Sequence, residues 1–379
     1  MEKLKKEETV RESVVAATEG QPPANECKSI IPLKEEEINT VDFPDLWGVS
    51  YASELDIKTM PEVMDMFFDA NVPIVEGLLY PGTYLFVGAP KVGKSFMLLQ
   101  LAYHVSIGTN LWGLKTYKCP VLYLALEDTY ERLQQRMYRM FGDDMATDFY
   151  LAIKAGKIGE MLEQQIDNFV VKHPTTRLIL IDTLAKVRND ENLGYSYAND
   201  YSVIEKLKLI SDKHKICILL VHHTRKMSSE DPFDMISGTN ALMGAADGAY
   251  IMQKSKRTDN SAVIDVSLRD QQDQKLYLTR NLNTLCWELT QIENELWKAP
   301  SEPLLDAIVE MLQGQKDKSW VGSATELVQI LKSDIAINAI SKKLNANANR
   351  LLNEYNVRYC YKRTMHERII TLRIEEENK

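Results

Sequence analysis

Eight consecutive residues form the strongest chemical motif of the chain, and they run Gly88-Ala89-Pro90-Lys91-Val92-Gly93-Lys94-Ser95. The spacing matches G-x-x-x-x-G-K-[ST], with an apolar strand before it and a helix after it. Gly88 and Gly93 permit backbone conformations that a Cβ forbids, so the loop amides and the positive helix end can face phosphate oxygens. Lys94 adds a charge toward the β- and γ-phosphates, and Ser95 offers a hydroxyl to Mg²⁺. We therefore expect a loop that binds ATP and Mg²⁺, with Phe96 ending the set of binding residues.

Carboxylates stand at the ends of two apolar segments. Asp182 follows the segment 178–181, where it is placed to order a Mg²⁺-bound water beside the loop. Its alternative role is a helix cap or turn residue before Thr183. Glu127 and Asp128 follow the segment 121–126, and we expect Glu127 to be the general base and Asp128 to support it or to cap a helix. Acids that simply terminate a turn remain the other interpretation of this pair.

Two further pairs of polar residues have two interpretations each. Arg132 and Arg136 have i, i+4 spacing on a predicted helix, so they either reach the nucleotide or stay solvated. His222 and His223 close the segment 216–221 and face the strand-end crevice in which open α/β sheets bind ligands. A histidine there can hydrogen-bond a γ-phosphate or can be a satisfied structural residue. Zinc is disfavoured because no third ligand has suitable spacing.

The segments between these residues alternate between strand and helix patterns. Short apolar runs at 84–87, 121–126, 178–181 and 216–221 predict buried strands, and 95–107, 129–141 and 201–214 predict helices. This alternation predicts an α/β fold with a mostly parallel sheet covered on both faces. The shorter runs 249–252, 262–268 and 275–280 predict antiparallel strands added at the sheet edge.

The chain divides into three predicted regions. Residues 1–50 carry a net charge of −5 without an apolar period, which predicts a disordered acidic tail. Residues 51–298 form the α/β domain, and a linker at Ala299 and Pro300 precedes a small domain at 301–374. Its helices followed by two strands suggest a winged-helix-like fold. The segment 342–373 has a net charge of +6, which suits contacts with a DNA backbone, or else forms the solvated face of a protein-interaction domain.

Composition excludes several classes of protein. The net charge of −9 excludes a uniformly basic nucleic-acid coat, although not a local basic site. No apolar run approaches the roughly 20 residues that span a bilayer, so no membrane association is expected. The charged first residues predict no secretory signal, and five scattered cysteines predict a reducing, cytoplasmic environment.

The ordered set of motifs between residues 72 and 290 resembles the RecA-like ATPases, and within them the RepA-type hexameric replicative helicases of plasmids and other mobile elements. The resemblance is carried by the phosphate loop and by the segments 73–79, 124–128 with Arg136, 180–184, 220–226 and 237–242. It implies that His223 senses the γ-phosphate and that the segment 237–242 faces single-stranded DNA. Trp320 and the segment 322–327 likewise resemble the start of the winged-helix segment of mobile-element replication proteins.

The resemblance also implies assembly. Hexameric rings would place ATP at subunit interfaces, where a cation from the neighbour completes each site. Arg269 is most similar to the family position, and the open alternatives are Lys254, Lys256 and Arg257. The leading hypothesis is therefore an ATP-driven DNA helicase in replication of a mobile element or phage, with other replication proteins as possible partners. The alternatives are a recombination or regulatory ATPase without unwinding, and a nucleotide-dependent DNA-binding regulator.

Overall fold

The strand and helix order alternates as the sequence pattern predicts. The computed structural model describes residues 55, 57–189, 197–224, 231–236, 240–256, 258–294, 302–363 and 368–375. The strands are β1 (Gly82–Gly88), β2 (Val121–Ala125), β3 (Phe149–Ala152), β4 (Leu178–Asp182), β5 (Cys217–His222), β6 (Gly248–Gln253), β7 (Ser261–Leu268), β8 (Gln274–Arg280), β9 (Trp287–Asn294), β10 (Ser319–Gly322), β11 (Val357–Arg363) and β12 (Arg368–Ile374). The helices are α1 (Met60–Asp65), α2 (Lys94–Ile107), α3 (Tyr130–Phe141), α4 (Leu162–Lys172), α5 (Leu184–Val187), α6 (Tyr197–His214), α7 (Asn240–Ala245), α8 (Pro303–Gln313), α9 (Ala324–Leu331), α10 (Ile337–Ala346) and α11 (Ala348–Tyr355).

Among the described residues the main sheet has nine strands in the order β3-β2-β4-β5-β1-β6-β7-β8-β9. The first six strands in this order, β3-β2-β4-β5-β1-β6, pair in parallel. The strands β7, β8 and β9 continue the sheet in antiparallel pairs. Every residue of β1, β2, β4 and β5 is buried, as expected of parallel strands covered on both faces. The α/β class with a mostly parallel sheet and antiparallel edge strands is thus confirmed.

Two hydrophobic clusters cover the two faces of the sheet. One packs α2 and α3 against it, and the other packs α4, α6 and α7. Ile204, Leu207 and Ile210 of α6 all lie in the second cluster, on the apolar side that the helical spacing predicts. No helix in the described part of the chain is both long enough and apolar enough to cross a membrane.

The residues after position 301 build a separate core. It consists of α8 to α11 and a three-stranded antiparallel sheet in the order β10-β12-β11. Phe67 joins this core, because its ring packs edge-on against the ring of Tyr359 at 5.3 Å between centroids. The backbone N–H of Asn71 also donates to Asn349 Oδ1 at 2.8 Å. The segment that leads into the main sheet is therefore attached to the small C-terminal unit, whose winged-helix assignment stays a prediction.

Some elements differ from the sequence expectation. The strands β3 and β9 and the helix α4 were not expected, and β10 adds a third strand to the predicted C-terminal pair. Most residues of β9 after Trp287 are exposed and polar. The segment therefore lacks the apolar run that predicts a buried strand. The predicted acidic tail at 1–50 lies outside the described residues.

Candidate active site

The phosphate loop connects β1 to α2 and leaves no room for side chains at its two glycines. Gly93 has φ +115° and is the N-cap of α2. A Cβ there would lie 2.7 Å from Cζ2 of Trp287, and one at Gly88 would lie 2.6 Å from the carbonyl oxygen of Met252. The loop therefore needs both glycines for reasons of backbone conformation and of space. This close-packed loop before a helix N-terminus has the form that anion-binding loops require.

Lys94 lies beneath this loop and is 7% exposed. Its Nζ donates to the carbonyl oxygens of Gly88 at 2.7 Å and Ala89 at 3.1 Å. Burial lowers the pKa of Lys94 to about 8, against the opposing effect of the carboxylates of Asp182 and Glu127. An ammonium held in a loop of backbone amides, with carboxylates nearby, is arranged to meet phosphate oxygens.

Ser95 and Asp182 are brought together as predicted. The hydroxyl of Ser95 donates to Oδ2 of Asp182 at 2.8 Å, and the hydroxyl of Tyr123 donates to the same oxygen at 2.8 Å. Burial raises the pKa of Asp182, and the hydrogen bonds from Ser95 and Tyr123 oppose that rise. Asp182 ends β4 rather than capping a helix, and the hydroxyl and carboxylate oxygens at its side are hard donors of the kind that Mg²⁺ prefers.

Glu127 is exposed beyond the end of β2, beside Thr183. The hydroxyl of Thr183 donates to Oε1 of Glu127 at 3.2 Å, which orients the carboxylate. An exposed, oriented carboxylate at the edge that carries Lys94 and Asp182 has the position that a general base needs.

Asp128 holds the two arginines of α3 instead of standing free. Its carboxylate pairs with Arg132 at 2.8 Å and also with Arg136. Arg132 donates in addition to the carbonyl oxygen of Glu127 at 2.7 Å. The N-cap of α3 is Thr129, so Asp128 supports this region through its ion pairs rather than as a cap.

The two histidines lie at the end of β5. His222 is the last residue of the strand and is buried, whereas His223 is half-buried. Nδ1 of His223 lies 3.5 Å from Nζ of Lys94. His223 is therefore the histidine of the pair that lies beside the Lys94 ammonium, and its role as a γ-phosphate sensor stays a prediction.

Two side chains at this edge were missed by the sequence analysis. They are Arg280 and Trp287. The guanidinium group of Arg280 lies 4.1 Å from the centroid of the Phe96 ring, and that of Arg136 lies 5.2 Å from it. Burial lowers the pKa of Arg280, and the nearby Arg139 and Arg136 lower it further. Trp287 packs against Gly93 as described above. Arg280 and Trp287 belong to β8 and β9, and only the pairing of these edge strands brings them to the loop.

The candidate interface cations lie at two different places. Arg269 follows β7 at the edge where β6 begins, which is the edge opposite the phosphate loop. Its guanidinium is 3.7 Å from Asp247, and its backbone N–H donates to the carbonyl oxygen of Asp247 at 2.9 Å. Lys254 lies at the loop edge, where Nζ donates to the carbonyl oxygen of Asp259. Lys256 is in the same turn, and Arg257 lies outside the described residues.

The proposed DNA-contacting regions are only partly described. Residues 237–239 of the segment expected to face single-stranded DNA lie outside the described residues. Four of the eight basic residues in 342–373 pair with acids: Lys342 with Asp65, Lys343 with Glu302, Arg350 with Glu354 and Arg358 with Glu375. Tyr359 is 3% exposed, and its ring packs against Phe67 in the core of the C-terminal unit.

Parts of the chain are similar to known proteins. Residues 61–229 match the family profile described as an AAA domain. No curated protein matches the chain. The similar solved structures include an ATPase domain with 13% identity over 56% of this chain and 85% of that chain and a TM-score of 0.47. A DnaB-like replicative helicase, solved for its interactions with primase, has 12% identity over 59% of this chain and 64% of its own, with a TM-score of 0.49.

A third similar structure is a KaiC-like protein of Pyrococcus horikoshii, with 14% identity over 60% of this chain and 99% of that chain and a TM-score of 0.42. The chain thus spans just under two thirds of the length of the DnaB-like helicase. The part of the chain that is similar to an AAA domain holds the complete phosphate loop, and that loop follows a central strand of the parallel part of the sheet.

Proposed function

We propose that this chain is a Mg²⁺-dependent ATP hydrolase that drives a hexameric DNA helicase in replication of a mobile element or phage. The observation that carries the hydrolase is the convergence of Lys94, Ser95, Asp182, Glu127 and His223 at the carboxyl edge of the parallel strands. A cation, a hydroxyl–carboxylate pair, an exposed carboxylate and an imidazole are the groups that phosphoryl transfer to water needs.

Each group has a separate task in this proposal. Lys94 and the loop amides bind the β- and γ-phosphates, and Ser95 with Asp182 would hold Mg²⁺. The chemistry that bound Mg²⁺ supplies is neutralisation of charge on the phosphate oxygens. Glu127, oriented by Thr183, accepts a proton from the attacking water. His223 contacts the γ-phosphate. When hydrolysis removes that phosphate, His223 loses the contact, and the change is transmitted to β5.

The helicase part of the proposal is supported by the ordered motifs that resemble hexameric replicative helicases. Arg269 lies at the sheet edge opposite its own phosphate loop, so it would act only on the nucleotide of a neighbouring subunit. Single-stranded DNA would pass the segment 237–242 in the centre of the ring. The second candidate is a RecA-like recombination or regulatory ATPase without unwinding. It is favoured by the ion pairs that reduce the free positive charge of the C-terminal unit.

Replacement of Glu127 with glutamine tests the hydrolase. The amide cannot accept the proton of water, so turnover should fall about 10²–10⁴-fold while binding of a fluorescent ATP analogue is retained. Glu131→Gln is the matched control, because this exposed glutamate lies nearby in the first turn of α3. A fall of less than tenfold in Glu127→Gln would assign the base to another group.

The ring is tested by mixing two inactive variants. Lys94→Ala removes the phosphate-binding charge and Arg269→Ala removes the proposed interface cation. Mixed rings contain sites with an intact loop and an intact neighbouring cation, so part of the ATPase activity should return. Inactive mixtures with co-assembly confirmed by native mass spectrometry would move this role to Lys254, Lys256 or Arg257. Displacement of a DNA strand by the wild type, driven by ATP, separates the helicase from the second candidate.

A further inference from the structure

Tyr123 is a fully buried residue in the middle of β2 whose hydroxyl points at the phosphate site. It is 0% exposed, and its hydroxyl donates to Oδ2 of Asp182 at 2.8 Å. The same oxygen accepts the hydrogen bond of Ser95 at 2.8 Å. One carboxylate oxygen therefore receives two hydroxyl donors, one from the phosphate-loop helix and one from the interior of the sheet.

The register of the sheet explains this contact. The strands β2 and β4 pair in parallel, with Tyr123 opposite Leu180 and Ala125 opposite Asp182. Side chains two residues apart share a face of the sheet, and Tyr123, Ala125 and Leu180 all lie in the cluster beneath α2. Asp182 continues that face, so the long tyrosine side chain reaches along the strand to the carboxylate. The small side chain of Ala125 leaves space for this reach.

A phenol hydroxyl at this depth destabilises the fold unless it is paired, because burial removes its hydrogen bonds to water. Packing alone would be satisfied by phenylalanine. The hydrogen bond from Tyr123 therefore acts on Asp182, because it restricts rotation of the carboxylate about the Cβ–Cγ bond.

We propose that Tyr123 is a positioning residue for the divalent cation. Its hydroxyl holds Asp182 in the orientation in which Asp182 and Ser95 form a preorganised pair of oxygen donors. This inference rests on the proposed function, because it needs a protein that binds nucleotide with Mg²⁺. Groups that orient metal ligands typically change metal affinity by about 10–100-fold when they are removed. The expected effect of removing the Tyr123 hydroxyl is therefore a loss of Mg²⁺ affinity, with the nucleotide loop intact.

Tyr123→Phe tests the role, since it deletes one oxygen and keeps the ring. Binding of a fluorescent ATP analogue is titrated in EDTA and then at increasing Mg²⁺. In Tyr123→Phe the Mg²⁺ concentration that gives half of the maximal increase in nucleotide affinity should rise about 10–100-fold. The affinity for the nucleotide analogue in EDTA should be unchanged. Tyr250→Phe is the matched control, because this buried tyrosine on β6 donates to the carbonyl oxygen of Leu78 at 2.5 Å, away from the site.

The outcomes separate the two proposals. A wild type whose nucleotide binding does not respond to Mg²⁺ overturns the proposed function and this inference with it. A responsive wild type with a Mg²⁺ requirement for Tyr123→Phe within twofold of normal overturns the inference alone. An equal loss of affinity with and without Mg²⁺ also overturns it, because that result indicates general damage to the fold. In the background of Asp182→Asn the effect of Tyr123→Phe on the Mg²⁺ requirement should disappear, and a full effect there would refute the route through Asp182.

Discussion

Replacement of Gly93 with alanine tests the contact between the phosphate loop and the edge strand β9. Two independent costs act on the new Cβ. Gly93 has φ +115°, and a left-handed conformation costs a residue with a Cβ roughly 1–2 kcal/mol. The Cβ would also lie 2.7 Å from Cζ2 of Trp287, and overpacking of this kind costs about 1–3 kcal/mol. The free energy of unfolding should therefore fall by about 2–5 kcal/mol, which is the sum of both costs.

The second cost depends on a ring that cannot easily move. The backbone N–H of Trp287 donates to Oε1 of Gln100 at 2.7 Å, and Nε2 of Gln100 donates back to the carbonyl oxygen of Trp287 at 2.9 Å. These two bonds tie the start of β9 to α2. The backbone of Trp287 is thus held beside the loop, and the indole ring is fully buried.

A double-mutant cycle with Trp287→Leu separates the two costs. Replacement of a buried Trp with Ala lowers the free energy of unfolding by about 3–5 kcal/mol. Trp287→Leu should lower it by less, because leucine fills part of the space. In that background Gly93→Ala should cost only about 1–2 kcal/mol, since the strained φ remains and the steric contact is gone. Urea unfolding followed by far-UV circular dichroism measures all four proteins. A coupling energy near zero would refute the steric role of Trp287 and leave backbone conformation as the whole reason for Gly93.

Two further predictions concern stability away from the loop. Asp247→Asn should lower the free energy of unfolding by about 1–3 kcal/mol, because Asp247 pairs with Lys208 and accepts the backbone N–H of Thr83 at 3.0 Å. Asp143→Asn, an exposed change of the same kind, should be neutral in the same urea titration, and equal effects of the two would contradict the reasoning. Thr129→Ala should cost about 0.5–2 kcal/mol through loss of the N-cap of α3, and Thr129→Ser should restore most of it. Full stability of Thr129→Ala in thermal unfolding would show that the cap is dispensable.

Local patterns were sufficient for the framework of the fold. The apolar runs of β1, β2, β4 and β5 were predicted within two residues, because fully buried parallel strands have a continuous apolar sequence. The strand β3 has only four half-buried residues and β9 is mostly exposed, so neither has such a signal. The C-terminal helices were found from their spacing, yet the ion pairs that reduce their positive charge involve acids in distant segments such as Asp65 and Glu302.

The sequence by itself determined the phosphate loop and the acid at the end of β4, because Gly88 to Ser95 and Asp182 act through backbone conformation and strand position, which are local properties. The tertiary structure decided which side chains support them. Tyr123 meets Asp182 across 59 residues of sequence, and Arg280 reaches Phe96 through the pairing of edge strands. Such contacts depend on strand order and register, which are set by the packing of the whole sheet and leave no periodic trace in the residues that make the contact.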